Sequence, residues 1–232
     1  MKHLPTHVEG LDTFLGGGLP EGSLTLVTGP PGTMKSSLCY ALLHGNALAG
    51  VPGLYVSLEQ SRGSLEGQMR GLGLPPEATA GRLTVLDLSL LRERMGAQPP
   101  AAWMDFFRMY TQSFQEGLKY RLLVLDSLDA LEILARFQDH RRAFFRLARW
   151  LRDLQVTCLL IGELPRGRSE EALSRHGEEF LVDGILHLDV VPQGEFSVQR
   201  RIRAVKMRGA RHALDVQTLV FDGRLRVMRP LS

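Results

Sequence analysis

From Ser23 onward, short apolar runs alternate with stretches whose apolar residues recur every three or four positions. Ser23 to Thr28 is a run that predicts a strand, and a Gly/Pro-rich stretch, Gly29 to Thr33, follows it. A helix is predicted from Ser36 to Ala49. Gly53 to Leu58 and Leu83 to Leu88 read as further strands. Ala102 to Gly117 carries Trp103, Phe106, Phe107, Tyr110 and Phe114 at helical spacing, a stripe best explained as core packing. Arg121 to Asp126 reads as a buried strand, Asp139 to Leu154 as an amphipathic helix and Thr157 to Ile161 as another strand. Alternation of this kind predicts a mostly parallel sheet with helices on both faces.

The pattern then changes. Polar Pro165 to Glu179 reads as a long mobile loop. Beyond it, Gly184 to Val190, Phe196 to Lys206, Val216 to Phe221 and Leu225 to Met228 look like strands joined by turns, with Asp222-Gly223 a hairpin turn signal. The expected fold class is therefore α/β: a mostly parallel central sheet flanked by helices, with an antiparallel β section at the C-terminal end. No repeat of solenoid length interrupts it, and 232 residues fit one domain, 1–232.

Composition narrows the function classes. Hydrophobic residues make up 44% and charged residues 23%, ordinary for a soluble globular chain. No apolar stretch has the length of a bilayer span, and the first ten residues lack the apolar core of a secretory signal, so a cytoplasmic location is expected. A net charge of +3 permits nucleic-acid contact without demanding it. Arg141, Arg142, Arg146, Arg149 and Arg152 decorate one helix, where a solvated face is the plain reading and a partner or nucleic-acid surface the second. Cys39 and Cys158 sit in apolar runs and read as buried reduced thiols. The seven histidines show no metal-ligand spacing.

The chemistry concentrates in Gly29-Pro30-Pro31-Gly32-Thr33-Met34-Lys35-Ser36-Ser37, placed between a strand and a helix. A phosphate loop needs that context: backbone N–H groups and the helix start cradle phosphates, Lys35 reaches their oxygens, and the Ser36 hydroxyl holds Mg2+. The usual pattern is G-x-x-x-x-G-K-[ST], and Met34 stands at its second glycine. A left-handed backbone there would carry strain of about 1–3 kcal/mol. Charged against binding, that strain lowers affinity about 5- to 150-fold.

Three further segments fit around the loop. Leu122-Leu123-Val124-Leu125-Asp126-Ser127 places Asp126 at a strand's carboxyl end, where open α/β sheets bind ligands and where it would hold Mg2+ beside Ser36. Glu59, in Tyr55-Val56-Ser57-Leu58-Glu59-Gln60, falls at another strand end and could deprotonate an attacking water, although its spacing alone equally suits a solvated acid. Lys206 and Arg208 alternate along a predicted strand, so both face one way and could clamp a phosphate, although a solvated basic edge fits the spacing as well.

With these motifs in place, the chain resembles a KaiC-type ATPase of the RecA superfamily over nearly its whole length. Thr6 to Leu26, T-H-V-E-G-L-D-T-F-L-G-G-G-L-P-E-G-S-L-T-L, resembles the segment that enters the phosphate loop of KaiC domains. Val56 to Gln60 resembles the strand ending in the family's paired glutamates, and Leu122 to Ser127 its Walker B strand. Leu181-Val182-Asp183-Gly184-Ile185 and Lys206-Met207-Arg208-Gly209 resemble its late motifs. The resemblance implies a RecA-like P-loop NTPase that binds ATP and Mg2+, with Glu59 as the first catalytic glutamate and Gln60 in place of the second. It implies that Lys206 and Arg208 reach the γ-phosphate of a neighbouring subunit, in a hexameric ring with ATP at each interface. Loops such as the one holding Arg166 and Arg168 point toward the pore in RecA-type rings.

The expected function is a slowly hydrolysing ATPase that acts as a regulatory assembly switch, with a regulatory protein as partner. Two rivals stand beside it: a RadA/RecA-like recombination accessory protein that binds single-stranded DNA, and a sensor or scaffold that binds ATP without hydrolysing it. Met34 and Gln60 motivate the second rival.

Overall fold

The computed structural model describes residues 2–89, 100–164 and 173–229. Among the described residues nine strands form one sheet. In chain order they are β3 (Leu24–Gly29), β4 (Gly53–Ser57), β5 (Leu83–Asp87), β6 (Leu122–Asp126), β7 (Thr157–Glu163), β8 (Gly184–Gln193), β9 (Ser197–Met207), β10 (Gln217–Phe221) and β11 (Leu225–Met228). Two short strands, β1 (His3–Leu4) and β2 (Leu19–Pro20), pair separately. The spatial order is β11-β10-β9-β8-β3-β7-β6-β4-β5. Every pair from β5 to β8 is parallel, and β8 to β11 are joined antiparallel. The sequence pattern anticipated this division.

Side-chain alternation splits the parallel strands between two cores. Leu122 and Val124 of β6, with Leu159 and Ile161 of β7, join one apolar cluster; Leu123 and Leu125, with Cys158 and Leu160, join the other. The first core is covered by α2 (Lys35–Leu48) and α3 (Arg62–Gly71), whose Tyr40, Leu65 and Met69 are fully buried. The second lies under α4 (Pro100–Leu118), α5 (Leu128–Leu134) and α6 (His140–Asp153). Phe107 there is 1% exposed and Tyr110 and Phe114 pack against the same core, so these three of the aromatic stripe are core packing; Phe106 is half-buried outside both clusters. Cys39 and Cys158 are free thiols buried in opposite clusters.

α6 shows how the sequence sets an element. The Asp139 carboxylate accepts from Arg142 N at 2.9 Å and caps its start. Phe144, Leu147 and Leu151 are buried on one side, each contributing about 1.5–3 kcal/mol. Arg141, Arg142, Arg146, Arg149 and Arg152 lie on the solvent side, as the plain reading expects.

The entry segment builds α1 (Leu11–Leu15), which packs into the first core through Leu11, Phe14 and Leu15. Asp12 pins it by accepting from Thr6 N at 2.7 Å. Of the long loop after β7, Arg166 and Arg168 lie outside the described residues; its described end closes in one 3-10 turn, Glu178–Phe180. α3 and α5 had no sequence-based prediction. Three glycines dilute α3, and its buried side chains, Leu65 and Met69, give one helical repeat only. Among the described residues no helix is long and apolar enough to cross a membrane.

Candidate functional site

Four parallel strands end side by side where β3 turns into α2. Gly29 of β3 is level with Glu163 of β7, and Asp126 of β6 is level with Ser57 of β4. The turn from β3 wraps a cleft of about 390 Å³ shared by Lys35, Ser36, Glu59, Asp126, Glu163 and Arg200.

Backbone shape explains the loop's glycines. A side chain at Gly29 would sit 2.0 Å from the Leu188 carbonyl oxygen. Gly32 has φ +86, and a Cβ there would meet nothing within 4 Å. Met34 also adopts the left-handed conformation, φ 70 and ψ 29, as the residue just before α2. The position therefore demands the backbone a glycine supplies freely, and the methionine carries the strain while packing against the first core. Met34→Gly is expected to tighten ATP binding about fivefold or more, and the β-branched Met34→Val to weaken it by a similar factor. A fluorescent-nucleotide titration reads both; equal affinities for all three proteins would sever loop strain from binding.

Lys35 is 7% exposed and donates to the carbonyl oxygens of Gly29 at 2.9 Å and Pro30 at 3.1 Å. Burial lowers its pKa, while Glu163, Asp126 and Asp129 pull the other way. Thr33 donates to the Pro30 carbonyl at 2.9 Å and so braces the loop, and Ser37 is buried in the first turn of α2. Asp126 accepts a hydrogen bond from Tyr55, and the Ser36 hydroxyl also favours its charged form. Burial still pushes its carboxyl upward against both hydroxyls. Glu59 accepts from Ser127 Oγ at 3.0 Å; burial raises its pKa, the Ser127 bond lowers it, and the neighbouring acids Glu163, Asp126 and Asp129 raise it further. Gln60, also on the cleft wall, donates its amide to Ser64 at 2.8 Å and Gln68 at 3.3 Å on α3.

Lys35, Ser36, Glu59 and Asp126 thus converge as the sequence expects. Lys206 and Arg208 do not join them. Lys206 is level with Ile185 of β8, and Ile185 with Leu26 of β3. That puts Lys206 two strands across and three residues below Gly29, about 14 Å by strand geometry. β9 ends at Met207, so Arg208 lies just beyond the strand predicted to hold it. The two cations still share one corner: Lys206 donates to the carbonyls of Glu179 at 3.0 Å and Val182 at 2.6 Å, and Arg208 lies 3.5 Å from Asp183.

Among the residues in or behind the cleft wall, Tyr55, Arg200 and Glu163 had no predicted role. Tyr55 positions Asp126. Arg200, on β9, donates to the Gly32 carbonyl at 3.2 Å and brings the antiparallel section onto the loop. Glu163 ends an apolar run in an acid, the same signal that identifies Asp126; the predicted strand stopped at Ile161, two residues short.

The family model for the KaiC ATPase matches residues 4–224. The chain belongs to the KaiC family of ATPases. A UPF0273 protein of Methanopyrus kandleri is 27% identical over 223 residues, covering 92% of this chain and 86% of its own. The circadian clock oscillator protein KaiC of Thermosynechococcus vestitus is 31% identical over 222 residues. That match covers 91% of this chain and 41% of the clock protein, so the chain spans about two fifths of it. A crystal structure of a KaiC-like protein from the hyperthermophilic archaeon Pyrococcus horikoshii superposes with a TM-score of 0.81 at 25% identity, covering 97% of this chain and 98% of that one. The family's RecA-like α/β arrangement is the fold described above.

Proposed function

We propose that this KaiC-family chain binds Mg·ATP in the cleft at the end of β3, hydrolyses it slowly, and uses the bound nucleotide to assemble a ring with ATP at each subunit interface. The observation that carries this reading is the separation of the parts. The phosphate loop and the strand-end acids meet in one cleft, while Lys206 and Arg208 sit at a different corner of the same chain. A chain so built completes its site by lending the corner to a neighbour.

The residues fit the group. Gly29, Pro30, Pro31, Gly32, Thr33 and Met34 form the loop whose backbone would receive phosphates at the start of α2. Lys35 sits ready to exchange its carbonyl partners for phosphate oxygens. Ser36 and Asp126 offer the hard oxygen donors Mg2+ prefers, and Mg2+ would neutralise phosphate charge there. Glu59 faces the same space, and burial raises its pKa, which makes it a stronger proton acceptor.

Light scattering after gel filtration tests the assembly. Wild-type protein with saturating Mg·ATP is expected to elute as a ring, and Lys35→Ala as a smaller species. A monomer under those conditions overturns the ring. A second reading is favoured by Gln60, whose amide is committed to α3 where the family carries another acid: ATP binds and assembles the ring without turning over. Phosphate release at the level of Lys35→Ala would select it.

A further inference from the structure

The histidines have no ligand spacing along the chain, yet folding brings two of them to one buried acid. Glu132, on the outer turn of α5, is 6% exposed. Its Oε2 lies 3.4 Å from His140 Nδ1, at the start of α6, and 3.7 Å from His176 Nε2. The ligating atoms of all three lie within 4.8 Å of one another. The two rings stack with centroids 3.8 Å apart. Glu132 Oε1 and His140 Nδ1 are buried with no hydrogen-bond partner among the described residues. A desolvated carboxylate oxygen and a ring nitrogen left so cost stability unless something else satisfies them.

We propose that Glu132, His140 and His176 form a second metal site, for a divalent transition cation of the zinc class. Bonds of about 2.0–2.1 Å to nitrogen and oxygen place tetrahedral ligand atoms about 3.3–3.4 Å apart. The two measured separations from Glu132 Oε2 lie close to that edge. Two imidazoles select a transition cation over Mg2+, which takes oxygen ligands. The local charge agrees: Glu178, 4% exposed, and Asp129 stand close to Glu132, and Arg175, 3.1 Å from Asp129, is the cation opposing them. The rings lie at 17° to each other, so a shared ion requires one to turn; both side chains reach the surface, at 34% and 36% exposure. A tetrahedral ion would take its fourth ligand from solvent.

The site is separate from the nucleotide cleft but linked to it through α5. Asp129, one turn before Glu132, accepts from Glu163 N at 2.6 Å, and Glu163 lines the cleft. A bound ion would tie the chain around His176 to the junction of α5 and α6.

Untagged protein stripped with chelator and free of nucleotide would be titrated with Zn2+ against a chromophoric chelator, and with Co2+ by visible absorption. One equivalent is expected to bind, with the intense Co2+ bands of a tetrahedral site. Changes to groups that merely orient a ligand cost about 10- to 100-fold in affinity. Loss of a ligand in His140→Ala, His176→Asn or Glu132→Gln is therefore expected to cost at least about tenfold. Asp126→Asn should retain the signal, which keeps the site distinct from that for Mg2+. Fluorescent-nucleotide binding verifies that each of the three ligand variants is folded, a thermal melt does so for Asp126→Asn, and the exposed His176→Asn keeps the test open if a buried change disrupts packing. Wild-type protein that binds no Zn2+, or binds it no better than His176→Asn, overturns the proposal.

Discussion

Arg208→Ala is expected to lower ATP turnover about 10³- to 10⁵-fold, the range for cations supplied across an interface in phosphoryl transfer. Nucleotide binding by the same variant should be nearly intact, because Arg208 lies at the Asp183 corner of its own chain, away from its own phosphate loop. Mixing gives the decisive measurement. Arg208→Ala subunits keep a whole loop, and Lys35→Ala subunits keep a whole corner. Random co-assembly of equal amounts restores both to about a quarter of the interfaces, since each interface takes one face from each neighbour. Activity should rise well above that of either variant alone. No recovery on mixing would place the missing cation within the chain.

Glu59→Gln should slow hydrolysis about 10²- to 10⁴-fold and leave Mg·ATP binding close to wild type. The pH profile carries the same assignment. Burial raises the Glu59 pKa, and Glu163, Asp126 and Asp129 raise it further against the opposing Ser127 bond. A proton acceptor must be ionised to work, so the rate should fall as pH drops through this raised pKa. The acid limb should therefore begin above the ordinary carboxylate range, and the residual rate of Glu59→Gln should lack it. A wild-type limb at the ordinary carboxylate value, or the same limb in both proteins, would assign the base elsewhere.

The α/β alternation, the division of the sheet and the Lys35, Ser36 and Asp126 cleft were legible because each rests on local order. A strand reads from six residues, and a phosphate loop from nine. Glu163 was missed only through the placing of a strand end. Arg200 and the Glu132–His140–His176 group were invisible for another reason: they depend on which distant segments touch. Arg200 meets Gly32 across 168 positions. Glu132 and His176 come from α5 and from the chain after the long loop, and only packing makes them neighbours. The bulge in β9 is similarly hidden. Leu186 pairs with Ala204 while Ile185 pairs with Lys206, so Val205 is extra and the alternation shifts. Beyond it Met207 faces the same core as Ala204, and Lys206 is left to meet Glu179 and Val182.

Asp183 joins more than its side chain suggests. It exchanges backbone and side-chain hydrogen bonds with Leu24, the first residue of β3, and its carbonyl accepts from Arg208 N at 2.9 Å. β3 then runs six residues, about 20 Å, straight into the phosphate loop. In the proposed ring, one end of that rod would rest on a neighbour's nucleotide and the other would grip its own. Loss of a phosphate at one seam would then tug on the strand that cradles the next, so adjacent sites would feel one another through a single stiff beam.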